Sequence, residues 1–304
     1  MHDDEDAPTD PDDTRALSPL THSRLVLPRP SLAGCLRGVM VRRTDAARLG
    51  PGQRFNHFPA TPLCSLTWWI TGESRMLPAG AAARLDAPQE PLPSRWVFAG
   101  PFTRPLVSWN PGPVHAVMAL LPADAMHRLT GLDMAGWVNR WDDARAALPP
   151  DWQALGEAVA DAPGDDARIA RLEDFLAPRW QALRPVQPAA MQRYQDWAQS
   201  LAAHAAMSGP GRSLRQIERR IRRWSGLPMR ELRGIGRGEQ AFLGARAAAD
   251  RLAAPDWAGL AHATGYADQS HLCRETRRLT GFSPDELNRR IHGDEGFWSY
   301  RIWV

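Results

Sequence analysis

The stretch GYADQSHLCRETRRLTGFSP at residues 265–284 constrains the fold more than any other part of the chain. One helix should end before Gly265, and Asp268 has the side chain of an N-cap residue for a second helix that Gly281 ends. A turn of four residues between two helices is the spacing of a helix-turn-helix, in which the second helix enters the major groove of DNA. The spacing therefore predicts such a unit, with Leu272 and Leu279 facing the core together with Thr276.

The outward face of the second helix is predicted to contact DNA. Glutamine can pair with adenine through two hydrogen bonds and arginine with guanine, so Gln269 and Arg274 are candidates for reading bases. Arg277 and Arg278 are placed to contact phosphates. The candidate DNA-contacting residues of this helix are Gln269, Ser270, His271, Arg274, Arg277 and Arg278.

Charge is distributed unevenly along the chain. All 37 basic residues are arginine; from Arg212 to the end, 17 Arg and 11 acidic residues give +6, whereas 20 Arg and 23 acidic residues before it give −3. A basic C-terminal part is typical of a module that binds a polyanion. A biased genome composition also explains an arginine-rich chain without lysine, so charge alone does not decide the function.

The rest of the C-terminal part is predicted to be helical. Ser213 and Gln216 form the pattern of a capping box, Asp256 can cap a later helix, and Ser283 with Glu286 can start the last one. Four glycines within the longest helix each weaken it by about 1 kcal/mol relative to alanine, so packing must compensate. The predicted helices are 191–206, 213–224, 229–253, 257–264 and a further one from Ser283.

The N-terminal part is predicted to be β-rich. Short apolar runs between Pro and Gly residues predict strands, and no helix lies between them as a crossover, which favours an antiparallel barrel or sandwich over a parallel sheet. Helices are predicted at 123–129 and 165–182. The runs are SRLVL, GVMVR, CSLTWWITG, RWVFAG, PLVSW and VHAVMALL.

These patterns divide the chain into an α+β protein of two domains. Residues 1–20 form an acidic tail predicted to be disordered, 21–184 a β-rich domain with trailing helices, 185–190 a linker around RPVQP, and 191–304 an all-α DNA-binding domain. The start of the chain lacks the features of a signal peptide and no run of apolar residues is long enough to span a bilayer, so a cytoplasmic location without a membrane partner is expected.

No cofactor is expected from the sequence. The three cysteines are far apart and form no CxxC pair, which argues against a disulfide framework or a cysteine-rich zinc site. His57 and His115 lack the clustered spacing of a metal-binding barrel, so neither is assigned to a metal. No nucleophile motif or glycine-rich phosphate loop is present, and the chain is not expected to be an enzyme.

The segment 265–287 resembles the second helix-turn-helix of AraC-type transcriptional regulators. The family pattern, roughly G-F-x-D-x-S-H-F-x-R-x-F-K-x-x-x-G-x-S-P, is matched at eight positions, with Tyr266 and Leu272 as conservative replacements. Thr276 departs from it, because the family usually has an aromatic residue there. The matching positions are Gly265, Asp268, Ser270, His271, Arg274, Gly281, Ser283 and Pro284.

A weaker resemblance links SLRQIERRIRRWSGLP to the first recognition helix of the same family. It implies that Arg215 and Arg219 contact DNA, and Glu218 stands where many relatives have a polar reader of bases. The resemblance covers about 191–291 and implies two helix-turn-helix units, joined by the long helix, that contact successive major-groove segments of double-stranded DNA.

The N-terminal part resembles the β-rich, cupin-like sensor half of some AraC-type regulators. Candidate partners besides DNA are therefore a small-molecule effector, a second copy of the chain and RNA polymerase. The alternative is a cupin-like enzyme or small-molecule-binding barrel with a degenerate helical appendage. Aromatic residues that either lie in the core or line an effector pocket are Trp68, Trp69, Trp96, Phe98 and Trp109; Trp68 and Trp69 are adjacent in a predicted strand and must point to opposite faces.

Overall fold

The computed structural model describes residues 15–183, 193–209, 213–249 and 255–303. Its N-terminal part contains ten strands. Six of them coincide with the apolar runs predicted to be strands, whereas β3, β5, β6 and β10 were missed; β5 and β6 have only two residues each and β10 has three, which gives no periodic pattern. The strands are β1 (His22–Val26), β2 (Gly38–Arg43), β3 (Phe55–Phe58), β4 (Leu63–Thr71), β5 (Arg75–Met76), β6 (Glu90–Pro91), β7 (Trp96–Ala99), β8 (Leu106–Trp109), β9 (His115–Pro122) and β10 (Trp141–Asp143).

The strands form two antiparallel sheets. The larger has the order β1-β2-β9-β4-β7-β10, and the smaller has the order β3-β8-β5-β6. Ser65 and Met118 of the larger sheet line the same cavity as Phe58 and Ser108 of the smaller one, so the two sheets face each other. The predicted antiparallel barrel or sandwich is therefore confirmed.

Four helices follow or interrupt the last strands and cover the outer face of the larger sheet. Leu66 and Phe98 from the sheet share one core with Met126, Leu155 and Leu172 from the helices. The predicted helices at 123–129 and 165–182 are thus present within one residue of their expected ends. The four are α1 (Ala123–Thr130), α2 (Ala144–Ala147), α3 (Gln153–Ala160) and α4 (Asp165–Leu183).

The described C-terminal part is helical throughout, as predicted. Ser213 and Gln216 form the expected capping box. Ser283 caps the helix at Pro284, but the Glu286 carboxylate does not reach back to it; it pairs instead with Arg290, at 3.1 Å. The helices are α5 (Tyr194–Met207), α6 (Leu214–Ser225), α7 (Met229–Ala249), α8 (Trp257–Ala263), α9 (Gln269–Thr280), α10 (Pro284–Gly293) and α11 (Trp298–Ile302).

Glycines in α7 allow its neighbours to approach closely. A Cβ atom at Gly236 would lie 3.2 Å from the backbone nitrogen of Gln195 in α5. One at Gly238 would lie 2.4 Å from Leu279 in α9, and one at Gly244 would lie 2.6 Å from Leu260 in α8. Side chains at these positions would keep the surrounding helices apart. The close packing that glycine allows therefore compensates for the lower helix stability expected from the glycines.

The C-terminal end of the chain packs onto the β-rich part. The Arg42 guanidinium, on β2, forms a buried ion pair with Glu295 at 2.5 Å. Trp298 donates a hydrogen bond to the side-chain oxygen of Asn56, and Ser299 donates one to the carbonyl of His57. These contacts join residues more than 240 positions apart in the sequence.

The expected linker at 185–190 and the first fourteen residues of the expected disordered tail lie outside the described residues. Ser18, within the remainder of that tail, donates its backbone N–H to Glu295. Among the described helices, none is long and apolar enough to cross a membrane.

Arg42→Met is expected to lower the free energy of unfolding by about 3 kcal/mol, because it leaves Glu295 buried without its cationic partner. Urea denaturation followed by circular dichroism measures the change. Arg24→Met is the matched control, since Arg24 forms an exposed ion pair with Asp166, and it should cost about 1 kcal/mol or less. Equal effects of the two substitutions would contradict the structural role assigned to the buried pair.

Candidate functional site

The turn between α8 and α9 has the geometry of a helix-turn-helix. Gly265 adopts a φ of +76°, which a residue with a side chain rarely adopts, and its N–H bonds to the carbonyl of His262. The Asp268 carboxylate accepts a hydrogen bond from the backbone N–H of His271 at 2.6 Å, as a cap of α9 does. Ala261, Tyr266 and Leu272 form the small core that holds the two helices together.

Most of the predicted contact residues of α9 are open to solvent. Gln269, Ser270, Arg274 and Arg277 are exposed. His271 is half-buried; its Nδ1 accepts a hydrogen bond from the N–H of Ala267 at 3.4 Å. The exposed residues 270, 274 and 277 repeat at helical spacing and so lie along one face of α9.

Arg278 differs from the other arginines of α9. Its guanidinium forms ion pairs with Glu231 of α7 at 2.6 Å and with Glu275 at 3.1 Å. The side chain therefore ties α9 to α7 in this conformation. A phosphate contact of Arg278 stays a prediction and would compete with these two carboxylates.

Helix α6 presents a second basic face. Arg215 and Arg219 are exposed, as is Arg222, and their spacing places them on one side of the helix. Ile217 and Ile221 pack on the opposite side with the core formed by α5 and α7.

Glu218 has a structural contact that the sequence did not reveal. Its carboxylate accepts a hydrogen bond from the backbone N–H of Met229, the first residue of α7, at 3.2 Å. It also lies 3.8 Å from Arg222. An acidic side chain at a helix N-terminus is favourable, so Glu218 stabilises the start of α7. Its contact with a base remains a prediction.

The end of α6 is held by the β-rich part of the chain. Gly226, with a φ of +78°, ends the helix so close to the Met134 carbonyl that a Cβ atom would lie 2.9 Å from it. Trp224 lies beside the rings of His127 in α1 and His204 in α5. The position of α6 therefore depends on the domain that precedes it.

A cavity of about 270 Å³ extends from between the two sheets to the C-terminal helices. Of the five candidate aromatic residues only Trp69 lines it. Trp68, Trp96 and Phe98 lie in the core under the flanking helices, and Trp109 donates a hydrogen bond to the Pro51 carbonyl. Trp68 and Trp69 thus point to opposite faces, as the alternation along a strand requires.

Polar groups contribute the smaller part of the cavity surface. Asn56 donates hydrogen bonds to Asn110 at 2.6 Å and to Ser108 at 3.3 Å, which satisfies these groups on the floor between the sheets. Glu239 of α7 accepts a hydrogen bond from the backbone N–H of Tyr194 at 2.6 Å. Burial raises the pKa of Glu239 to about 7, against the opposing effects of that hydrogen bond and of Arg37 and Arg193.

The two histidines considered as metal ligands lie in separate environments. His57 stacks on Phe297, and burial, followed by the charges of Arg290 and Arg15, lowers its pKa to about 3. His115 Nε2 lies at hydrogen-bonding distance, 2.7 Å, from the Asp165 carboxylate. No group of three or more His, Cys, Asp or Glu side chains that could hold a metal ion occurs within the described ranges.

Comparison with known proteins gives similarity to solved structures alone. No family model matches the chain, and no curated protein matches it. ToxT from Vibrio cholerae O395 is 10% identical with a TM-score of 0.33, over 88% of this chain and 97% of that one. ToxT of strain SCE256 with a bound unsaturated fatty acid is 14% identical with a TM-score of 0.33, over 77% and 90%.

The AraC-type sequence motifs fall where the resemblance requires. The first lies on α6, and the second covers the turn after α8, helix α9 and the start of α10, with α7 and α8 between the two motifs. The chain resembles an AraC-type regulator. This resemblance rests on the motif positions and the order of the helices.

Asp268→Ala is expected to destabilise the protein by about 1 kcal/mol, because α9 loses its N-terminal cap. Asp268→Asn is the matched control and should change stability by only a few tenths of a kcal/mol, since asparagine caps about as well. Urea denaturation gives both values, and hydrogen exchange of the α9 amides localises the effect. If the two variants lost equal stability, the cap would not be the cause.

Proposed function

We propose that the chain is a sequence-specific DNA-binding transcriptional regulator whose β-rich domain binds a small-molecule effector or mediates dimerisation. The observation that carries the proposal is the capped helix α9, which is braced by α8 and presents Gln269, Arg274 and Arg277 to solvent. Such a helix has the form of a major-groove reading element. In this function Gln269 and Arg274 read bases and Arg277 contacts a phosphate.

Helix α6 supports a second contact with the same DNA. Arg215, Arg219 and Arg222 form an exposed basic face on a helix that α7 connects to the α8–α9 unit. Side chains of this type contact phosphates or guanine. Two reading helices then occupy successive segments of the major groove, with α7 as the spacer.

The cavity supports an effector over a purely structural barrel. It has walls from both sheets, from α7 and from the segment after α10, so a molecule that fills it contacts both the β-rich part and the helical part. Ligand sites in proteins are typically concave, mostly apolar and supplied with a few polar groups, as this one is.

Arg274→Ala should weaken binding to the preferred DNA sequence by about 1 to 3 kcal/mol and relax the preference at one base pair. The preferred sequence is first selected from a random duplex pool, and fluorescence anisotropy then measures affinity for it and for single-base variants. Arg145→Ala, an exposed arginine on α2 of the β-rich part, is the control and should change neither value.

Wild-type affinity should also fall steeply as salt rises, since arginine–phosphate contacts release counterions. Selection of no preferred sequence, or equal affinity of wild type and Arg274→Ala for all duplexes, would refute sequence reading by α9.

A further inference from the structure

One face of α7 forms part of the cavity wall. Ile235, Glu239 and Phe242 line the cavity at spacings of four and three residues, as side chains on a single helical face do. Glu239 is the acidic member of this face and is buried, with 8% of its surface exposed.

The two carboxylate oxygens of Glu239 have different surroundings. Oε2 accepts the hydrogen bond from the backbone N–H of Tyr194, the first residue of α5. Arg193, which precedes α5, makes no side-chain cap, so Glu239 performs this role from α7. Oε1 is buried and has no hydrogen-bond partner among the described residues. One oxygen therefore has a structural function, and the other is an acceptor without a donor in a side chain that lines the cavity.

A buried carboxylate oxygen without a donor is unfavourable. The raised pKa of Glu239, caused first by burial, reflects the same cost. A ligand that donates a hydrogen bond to Oε1 removes part of that cost, whereas a group that can only accept leaves it in place.

The charges around Glu239 favour a neutral donor. An anionic group would be repelled by the carboxylate. Arg37 and Arg193 already lower the pKa of Glu239, so a cationic group would add a further positive charge at a buried site. Arg42, the cation on the floor between the sheets, is paired with Glu295. A hydroxyl group donates without adding charge.

Most of the remaining wall is apolar. Phe58, Leu63, Met118 and Leu120 contribute hydrocarbon surface from the β-rich part, and Leu279 contributes it from α9. The body of a ligand in contact with these side chains is apolar, because burial of hydrocarbon surface stabilises the complex.

We propose that the cavity binds a neutral, largely apolar alcohol or phenol whose hydroxyl group donates a hydrogen bond to Glu239 Oε1. This inference rests on the proposed function, in which the cavity is the effector site. The ligand then contacts α7, the helix that spaces the two reading helices.

The test compares octan-2-ol with octan-2-one. The two have the same carbon skeleton, but only the alcohol can donate a hydrogen bond. Isothermal titration calorimetry is performed on the full chain at pH 8, where the Glu239 carboxylate is mostly ionised and acts only as an acceptor. The wild type is expected to bind the alcohol at least about tenfold more tightly than the ketone. Octylamine and octanoate should bind more weakly than the alcohol.

Glu239→Gln is expected to abolish or reverse the preference for the alcohol. The amide oxygen can still accept from Tyr194, and its NH₂ group then faces the cavity as a donor that the ketone accepts. Glu157→Gln, an exposed glutamate on α3, is the matched control and should keep the tenfold preference. Thermal unfolding verifies that both variants fold.

Equal affinity for alcohol and ketone, tighter binding of octanoate or octylamine, or no binding of any probe overturns the proposal. Arg246, two helical turns or about 10 Å beyond Glu239 on α7, is the group that an anionic head would contact instead. DNA affinity measured on the same preparations separates the two proposals. Retained sequence preference without ligand selectivity refutes only the ligand class, and the reverse result refutes only DNA reading.

Discussion

The buried ion pair between Arg42 and Glu295 holds the chain after α10 against the β-rich part. Both side chains are almost entirely buried, and a charge removed from water is tolerated only when an opposite charge and hydrogen bonds compensate it. Glu295 also accepts hydrogen bonds from Ser18 and Thr21, so strand β2, the segment before β1 and the chain after α10 meet at one carboxylate. The adjacent bonds from Trp298 and Ser299 extend this contact along β3.

Helix α7 packs against most of the other helices of the C-terminal part. Its glycines allow α5, α8 and α9 to pack at short distance, and Arg278 ties α9 to it through Glu231. Glu218 caps the start of the same helix, and Glu239 of this helix lines the cavity. Glycine lowers helix stability in isolation, so α7 depends on its neighbours as much as they depend on it.

The sequence predicted those features that local chemistry determines. Capping at Ser213, Asp256 and Asp268, the helix ends at glycine, and the longer strands follow from side chains within a few positions of each other. The two-residue strands gave no periodic pattern to detect. The partners of Glu218 and Arg278 also escaped prediction, because an exposed charge on a helical wheel looks the same whether its partner is DNA or a distant carboxylate. The cavity combines side chains from both halves of the chain, and no local pattern marks it.

The two candidate reading helices are attached to the molecule in different ways. Helix α6 packs against α1 and the turn around Met134 in the β-rich part. Helix α9 is braced by α7 and α8, and its last turn accepts a hydrogen bond at the Leu279 carbonyl from the backbone N–H of Ala60, at a different place on the β-rich part. Reading of successive major-groove segments requires a fixed spacing between the two helices. In the proposed function, a ligand that contacts both the sheets and α7 stabilises one position of the helices relative to the β-rich part. It can change DNA affinity only as far as its own affinity differs between that position and the others. In the proposed function, effector binding therefore acts on the spacing between α6 and α9 through their separate contacts with the β-rich part.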